Sequence, residues 1–317
     1  MIAVWLGWLG LVVAGGWAPV RAQTDAEELA VWLDDARAAV DQLLDGDPEA
    51  AIAWAREAID WQAVLEDTQA LLQGFDWALL AELRPDAEEA LRWLRRIPGA
   101  QPYVSWLEQR LDYLVLAEEF VRTRPPLPPP PDPARPTPPP PPRPSAPDLS
   151  AWQRRLARQP PSAQRQALIP ELKSIFAGSG LPEALVWIAE VESSLDPRAR
   201  SPVGALGLFQ LMPATAESLG LSLTPADQRL DWRLNARAAA TYLRRLHRRF
   251  QAWDLALAAY NAGEGRVGRL LTAQGEPRTF AAIQDKLPLE TRMYVPKVFT
   301  VIQLREGLEP HTLPPPG

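Results

Sequence analysis

The chain of 317 residues contains no cysteine. That excludes disulfides, thiolate metal ligands, a cysteine nucleophile and a lipid-modified amino-terminal cysteine, and it leaves the redox compartment open. Histidine is nearly absent too: His247 and His311 stand far apart, so neither an HExxH helix nor a His-rich metal site can be assembled. No GxSxG occurs, which removes the usual setting of a Ser-His-Asp triad. No metal and no cofactor are expected. His247 lies in YLRRLHRRF (242–250), where Leu243, Leu246 and Phe250 set an amphipathic helix with a charged outer face. The arginines there read as a solvated face rather than a nucleic-acid or membrane site, and His247 as a surface residue.

Proline is in excess, with 35 residues, and nearly half of them fall between 124 and 148 in RPPLPPPPDPARPTPPPPPRPSAPD. Such a run cannot pack a core and should adopt polyproline II, spanning on the order of 75 Å as a stiff spacer. A ligand for a proline-binding module is the alternative. The opening MIAVWLGWLGLVVAGGWAPVRA has the apolar length of a signal-peptide core, with Val20-Arg21-Ala22 suiting cleavage after Ala22. Export to the periplasm or cell envelope is expected. No Lys or Arg precedes the apolar run, so an uncleaved anchor is the competing reading.

The net charge of −6 hides a division: residues 1–148 carry −12 and residues 149–317 carry +6. A basic second half would help hold an anionic polymer, or the two halves have differently solvated faces. From about 26 to 123 apolar residues recur at three- and four-residue steps, as in AEELAVWLDDARAAVDQLL, which predicts a small helical domain. Asp47 and Pro48 begin one helix, and others are expected over 85–96 and 102–122. Its tryptophans, Trp32, Trp54, Trp61, Trp77, Trp93 and Trp106, read as core rather than sugar-stacking platforms. No chemistry is assigned to this domain; it is an adaptor for a protein partner or a simple spacing module.

Beyond the proline run, helices are expected over 152–159 and 163–177, and then LPEALVWIAEVES begins another at Pro182 and runs to Ser193. On that helix Leu181, Leu185, Ile188 and Glu192 form one stripe at steps of four, three and four. A carboxylate at the end of an apolar stripe is either a buried structural Glu or a general acid whose pKa is raised by desolvation. Glu190 falls about 200° away around the helix and reads as an outer-face residue. Asp196, before Pro197, reads as an Asp-Pro turn. No second catalytic carboxylate stands out.

The stretch VESSLDPRARSPVGALGLFQLMPATAESLGL (191–221) resembles the signature of the soluble-type (SLT domain) lytic transglycosylases, relatives of goose-type lysozyme. AAYNAGEGRV (258–267) is similar to the family's second motif and LPLETRMYVPKV (287–298) to its third, in the same order and spacing. The GEGRV and ETxxYVPK forms point to the membrane-bound lytic murein transglycosylase D type. The resemblance implies a lysozyme-like catalytic domain over 149–310; with the readings above, the chain is expected to be mainly α, with a leader over 1–22, an α-helical domain over 23–123, the linker over 124–148 and a tail over 311–317. It implies Glu192 as the catalytic residue, with Ser193, Ser201, Gln210, Met212, Tyr260, Asn261 and Glu290 binding substrate, and Phe209 adding apolar surface. Gln210 offers amide groups to a sugar, and Tyr260 and Asn261 end a helix closed by Gly263, where their polar ends can enter a cleft. Read alone, Tyr260 could instead pack in the core, and Glu290 would be a surface Glu at a helix start.

The implied partner is peptidoglycan. In this family Glu192 protonates the β-1,4 oxygen between N-acetylmuramic acid and N-acetylglucosamine, then as carboxylate takes the proton of the muramoyl C6 hydroxyl, which attacks C1 to form a 1,6-anhydro end. The 2-acetamido group stands in for the missing second carboxylate of an ordinary glycosidase. Two readings compete with it: a hydrolytic muramidase and a catalytically idle glycan-binding scaffold.

Overall fold

The computed structural model describes residues 77–82, 84–95, 101–123, 149–158, 160–201, 203–309 and 312–317. The residues expected to form the leader, the helices before residue 77 and the proline-rich spacer lie outside these residues. Among the described residues the chain is helical without a strand, as the mainly α expectation requires; two isolated bridges, Arg200 to Leu206 and Leu206 to Leu211, tie one loop to itself. No helix among them is long and apolar enough to cross a membrane.

Before the proline run stand α1 (Trp77–Glu82), α2 (Arg84–Leu94) and α3 (Gln101–Thr123), with α1 and α2 both packed on α3. Trp77 and Trp106 are buried, as core tryptophans should be. After it come α4 (Leu149–Leu156), α5 (Ala163–Gln166) and α6 (Ile169–Gly178). The single helix expected over 163–177 is thus broken at Ala167 and Leu168. Pro170, in the first turn of α6, has no N–H to continue a helix from above and marks a fresh start.

The segment expected to run as one helix from Pro182 is a 3₁₀ turn, Glu183–Trp187, followed by α7 (Ile188–Ser193). The stripe survives the change, since Leu181, Leu185 and Ile188 are all buried. Then follow α8 (Pro213–Ser218), α9 (Trp232–Phe250), α10 (Trp253–Ala262), α11 (Glu264–Gln274), α12 (Phe280–Ile283) and α13 (Leu289–Glu306). Asp231 caps α9 by accepting hydrogen bonds from the Arg233 and Leu234 N–H groups. Ala236, Ala239, Ala240, Leu243, Leu246 and Phe250 form its buried stripe against α6 and α10. α13 is the hub: it contacts α4, the 3₁₀ turn, α7 and α10, and most of its residues from Leu289 to Ile302 are buried, with Arg292, Pro296 and Phe299 on a partly exposed face.

Two surface readings are corrected. Glu190 is not on an outer face: its side chain is 9% exposed and receives two hydrogen bonds from Arg305 of α13, at 2.7 and 2.9 Å. His247 is buried, its ring tilted against Trp253 with 4.3 Å between centroids, and burial lowers its pKa. The outer arginines of that run do face solvent, and two of them, Arg245 and Arg249, clasp Glu264. Asp196 does form the expected turn, accepting the Arg198 N–H at 2.9 Å. Residues 312–317 touch the helices at a few points: Leu313 is buried, Trp253 donates to the Pro314 carbonyl at 2.9 Å and Gly317 to that of Gly180 at 2.8 Å.

Candidate active site

Glu192 sits in the last turn of α7, which the left-handed Ser194 ends at φ 53°. Its carboxylate opens into a cavity of about 230 Å³ whose other lining residues include Ser201, Gln210, Met212, Tyr260, Asn261 and Glu290. All of the residues expected from the resemblance to bind substrate, Ser193 excepted, therefore meet at one place.

The loop 199–212 forms one wall, and its shape is fixed from behind. Asn235 of α9, fully buried, accepts the Phe209 N–H at 2.8 Å and donates to the carbonyls of Leu206 and Arg229. Arg229 reaches the carbonyls of Gly204 and Leu211 at 2.8 and 2.9 Å, while Asp227 neutralises it. Held this way, Gln210 adopts a left-handed φ of 47° and donates its amide to the carbonyls of Ala199 and Gly207. Both N–H donors are spent, so its oxygen is the group left to meet a ligand. Met212 is exposed at the rim. Ser201 accepts the Val203 N–H at 3.3 Å and lines the cavity.

Ser193 and Phe209 stand behind the site rather than in it. The Ser193 hydroxyl is buried, its one proton lying between the carbonyls of Leu208 at 2.7 Å and Ala189 at 3.0 Å, and it accepts from Asp196 N–H, so it joins α7 to the loop. Phe209 is fully buried and stacks on Phe176 at 5.4 Å, which explains how its bulk is absorbed without entering the cleft. Ser193 borders a second, larger cavity of about 700 Å³. There the carboxylates and cations already pair with one another: Asp112 with Lys297 and Arg155, Glu108 with Arg95, Asp196 with Arg165, and Glu190 with Arg305. That leaves no acid or base free for chemistry, and the smaller cavity is the reactive one.

The floor comes from α10, where Tyr260 donates to the Phe209 carbonyl at 2.7 Å and Asn261 accepts from Thr291 at 2.7 Å. The helix ends at Ala262 with Gly263 at φ 88°, as the sequence pattern predicts. Tyr260 is thus both a packed, satisfied tyrosine and a cleft residue. Glu290, in the first turn of α13, is no surface residue: it pairs with Arg110 at 2.8 Å and lines the cavity.

Two contributors were not anticipated. Tyr294, one helical turn beyond Glu290, donates its hydroxyl to Glu192 Oε1 at 2.6 Å. It belongs to the third motif, and its i,i+4 relation to Glu290 is the signal that could have placed it. The second is α3, from the domain to which no chemistry was assigned: Ser105, Trp106, Gln109 and Arg110 line the same cavity. Nothing in the sequence of α3 distinguishes these positions from the rest of an amphipathic helix.

Burial raises the pKa of Glu192 to about 7, and the neighbouring Glu290 adds to the rise. The Tyr294 hydrogen bond is the largest opposing effect, followed by Arg110 and Lys297. Glu192 therefore holds a proton near neutrality and can also surrender it, which suits one group to act first as acid and then as base. The Tyr294→Phe variant removes the bond that favours the charged form. Its kcat/KM profile on purified sacculi is expected to keep its height within about tenfold while the alkaline limb moves up by roughly half a unit or more.

Part of the chain is similar to known proteins. The model of the Transglycosylase SLT domain matches residues 177–283, a span that includes Glu192, Gln210, Tyr260 and Asn261 and ends before α13. Membrane-bound lytic murein transglycosylase D of Escherichia coli K12 is 38% identical over 126 residues, covering 38% of this chain and 27% of that protein. Soluble lytic murein transglycosylase of the same strain is 34% identical over 134 residues, covering 40% of this chain and 21% of its own length. Among solved structures, the 70 kDa soluble lytic transglycosylase of Escherichia coli aligns over 94% of this chain and 39% of that one, at 21% identity and a TM-score of 0.41. The matched part thus spans about a quarter of the length of these curated relatives. Residues 177–283 thus match the Transglycosylase SLT domain and are similar in sequence to parts of the lytic murein transglycosylases.

Proposed function

We propose that the chain is a peptidoglycan lytic transglycosylase of the cell envelope, cutting the β-1,4 bond between N-acetylmuramic acid and N-acetylglucosamine to leave 1,6-anhydromuramoyl ends. The observation that carries this reading is Glu192: a carboxyl with a pKa near 7, hydrogen-bonded by Tyr294, opening into a cleft set by the SLT-domain loop. Glu192 donates its proton to the leaving oxygen; the muramoyl acetamido group supports the developing cation at C1. The carboxylate then accepts the C6 hydroxyl proton as that oxygen closes onto C1. Residues 1–22 would carry the enzyme out of the cytoplasm, and residues 124–148 would separate a domain over 23–123 from a catalytic domain over 149–310.

One observation favours a second reading. Glu290 lines the same cavity, and an acid with a second carboxylate is the equipment of a hydrolase that activates water. Its ion pair with Arg110 argues for the first, because Oε1 is already engaged by the guanidinium at 2.8 Å instead of being free to meet a water. Digestion of purified sacculi followed by mass spectrometry separates them. Anhydro-muropeptides, one water lighter than their reducing-end counterparts, are expected; reducing ends alone would make the chain a muramidase, and tight binding without turnover a scaffold.

A further inference from the structure

Arg110 lies in the sequence before the proline-rich stretch, yet its side chain is in the cleft. Its guanidinium donates to Glu290 Oε1 at 2.8 Å and to the Trp106 carbonyl, and rests over the Trp106 ring at 4.3 Å. Both members of the ion pair are only 18% exposed. The helix carrying it is fastened to the catalytic half at a second point, where Asp112 receives Lys297 of α13 at 3.1 Å and Arg155 of α4 at 2.9 Å. α3 also packs directly against α7, the helix that bears Glu192.

We propose that α3 is an integral wall of the catalytic cleft and that Arg110 is a positioning residue for the reaction, holding Glu290 in an ion pair so that the second carboxylate stands neutralised beside Glu192. The domain over 23–123 is then part of the enzyme and more than an adaptor. This inference rests on the reading of Glu192 as the acid.

The charges that bear on Glu192 come from several elements. α13 supplies Glu290, Lys297 and the Tyr294 hydroxyl; α3 supplies Arg110 and Tyr113; α10 supplies Tyr260; and Arg200 lines the cavity from the loop. In this set Glu290 disfavours the ionised form of Glu192 and Arg110 favours it. Deleting the two charges one at a time must therefore move Glu192 in opposite directions.

The test is a charge cycle in the full chain, read as the pH at which kcat/KM on sacculi falls on the alkaline side. Arg110→Met keeps the aliphatic stem over Trp106 and removes the charge, and should move that limb up by about half a unit. Glu290→Gln should move it down by a similar amount, the double variant should return it close to wild type, and Arg110→Lys should leave it there. If Arg110→Met does not fold, Arg110→Gln, which also removes the charge, takes its place in the cycle. A limb that neither single variant moves, or that both move the same way, overturns the role of Arg110 and leaves it a docking contact. A wild-type profile with no alkaline limb would instead count against Glu192 as the acid.

Discussion

Glu192→Gln is expected to lower the rate of glycan cleavage by at least about 10²- to 10⁴-fold, the contribution typical of a positioned general acid, while the protein stays folded. The loss should be near the upper end because one group serves both proton transfers. Gln keeps the shape and can still accept the Tyr294 hydrogen bond, so the cleft should be preserved. Retention of full activity on purified sacculi would sink the assignment.

The same substitution should make the protein more stable at high pH. In the unfolded chain Glu192 loses its proton near its ordinary value of 4.5, whereas in the folded protein it holds it to about 7. Below 4.5 both states are protonated and the wild type bears no penalty. Between those values the unfolded state releases a proton that the folded state keeps, so wild-type stability falls as pH rises, and above 7 the full penalty remains, at most about 3 kcal/mol. Thermal melts at pH 8 and pH 4 should show Glu192→Gln gaining on the wild type only at the higher pH. A variant that is inactive and yet more stable separates lost chemistry from lost structure.

How much of this was visible in the chain depends on where each residue finds its partner. Glu192 was legible because the apolar stripe it ends is local: Leu181, Leu185 and Ile188 lie within three turns, and their burial survives even though part of the segment is 3₁₀, whereas Tyr294, Glu290 and Arg110 reach it from distant parts of the chain. Tyr260 and Asn261 were legible because Gly263 ends their helix four residues after the last fully apolar turn. Glu190 and His247 were misread for the converse reason. A helical projection says which way a side chain points and nothing about what arrives from Arg305 or Trp253 to cover it. Arg110 was invisible on the same principle, 180 residues from Glu290, and so was the use of Ser193 as a buried strut.

Gly207→Ala is expected to be the most damaging small substitution in the catalytic half. Gly207 has φ +82°, where an added Cβ is strained on any account, and that Cβ would lie 2.2 Å from the Arg229 carbonyl oxygen and 2.6 Å from Asn235 Nδ2. Neither neighbour can yield cheaply. Arg229 O accepts from Asn235, whose other bonds hold Leu206 and Phe209, and the Arg229 side chain holds Gly204 and Leu211. Moving one contact therefore releases the loop that presents Gln210 and supports Tyr260 through the Phe209 carbonyl. The expected cost is upwards of about 3 kcal/mol, which for a domain of this size lowers Tm by roughly 10 °C. Gly220 supplies the control. Its φ is +85° but its Cβ would meet nothing within 4 Å, so Gly220→Ala carries the backbone strain alone, about 1 kcal/mol. If the two variants melt together, the tight approach at Gly207 is not what shapes the cleft wall; if Gly207→Ala melts far below Gly220→Ala and loses cleavage while Glu192 is untouched, the loop is as necessary to the reaction as the acid it faces.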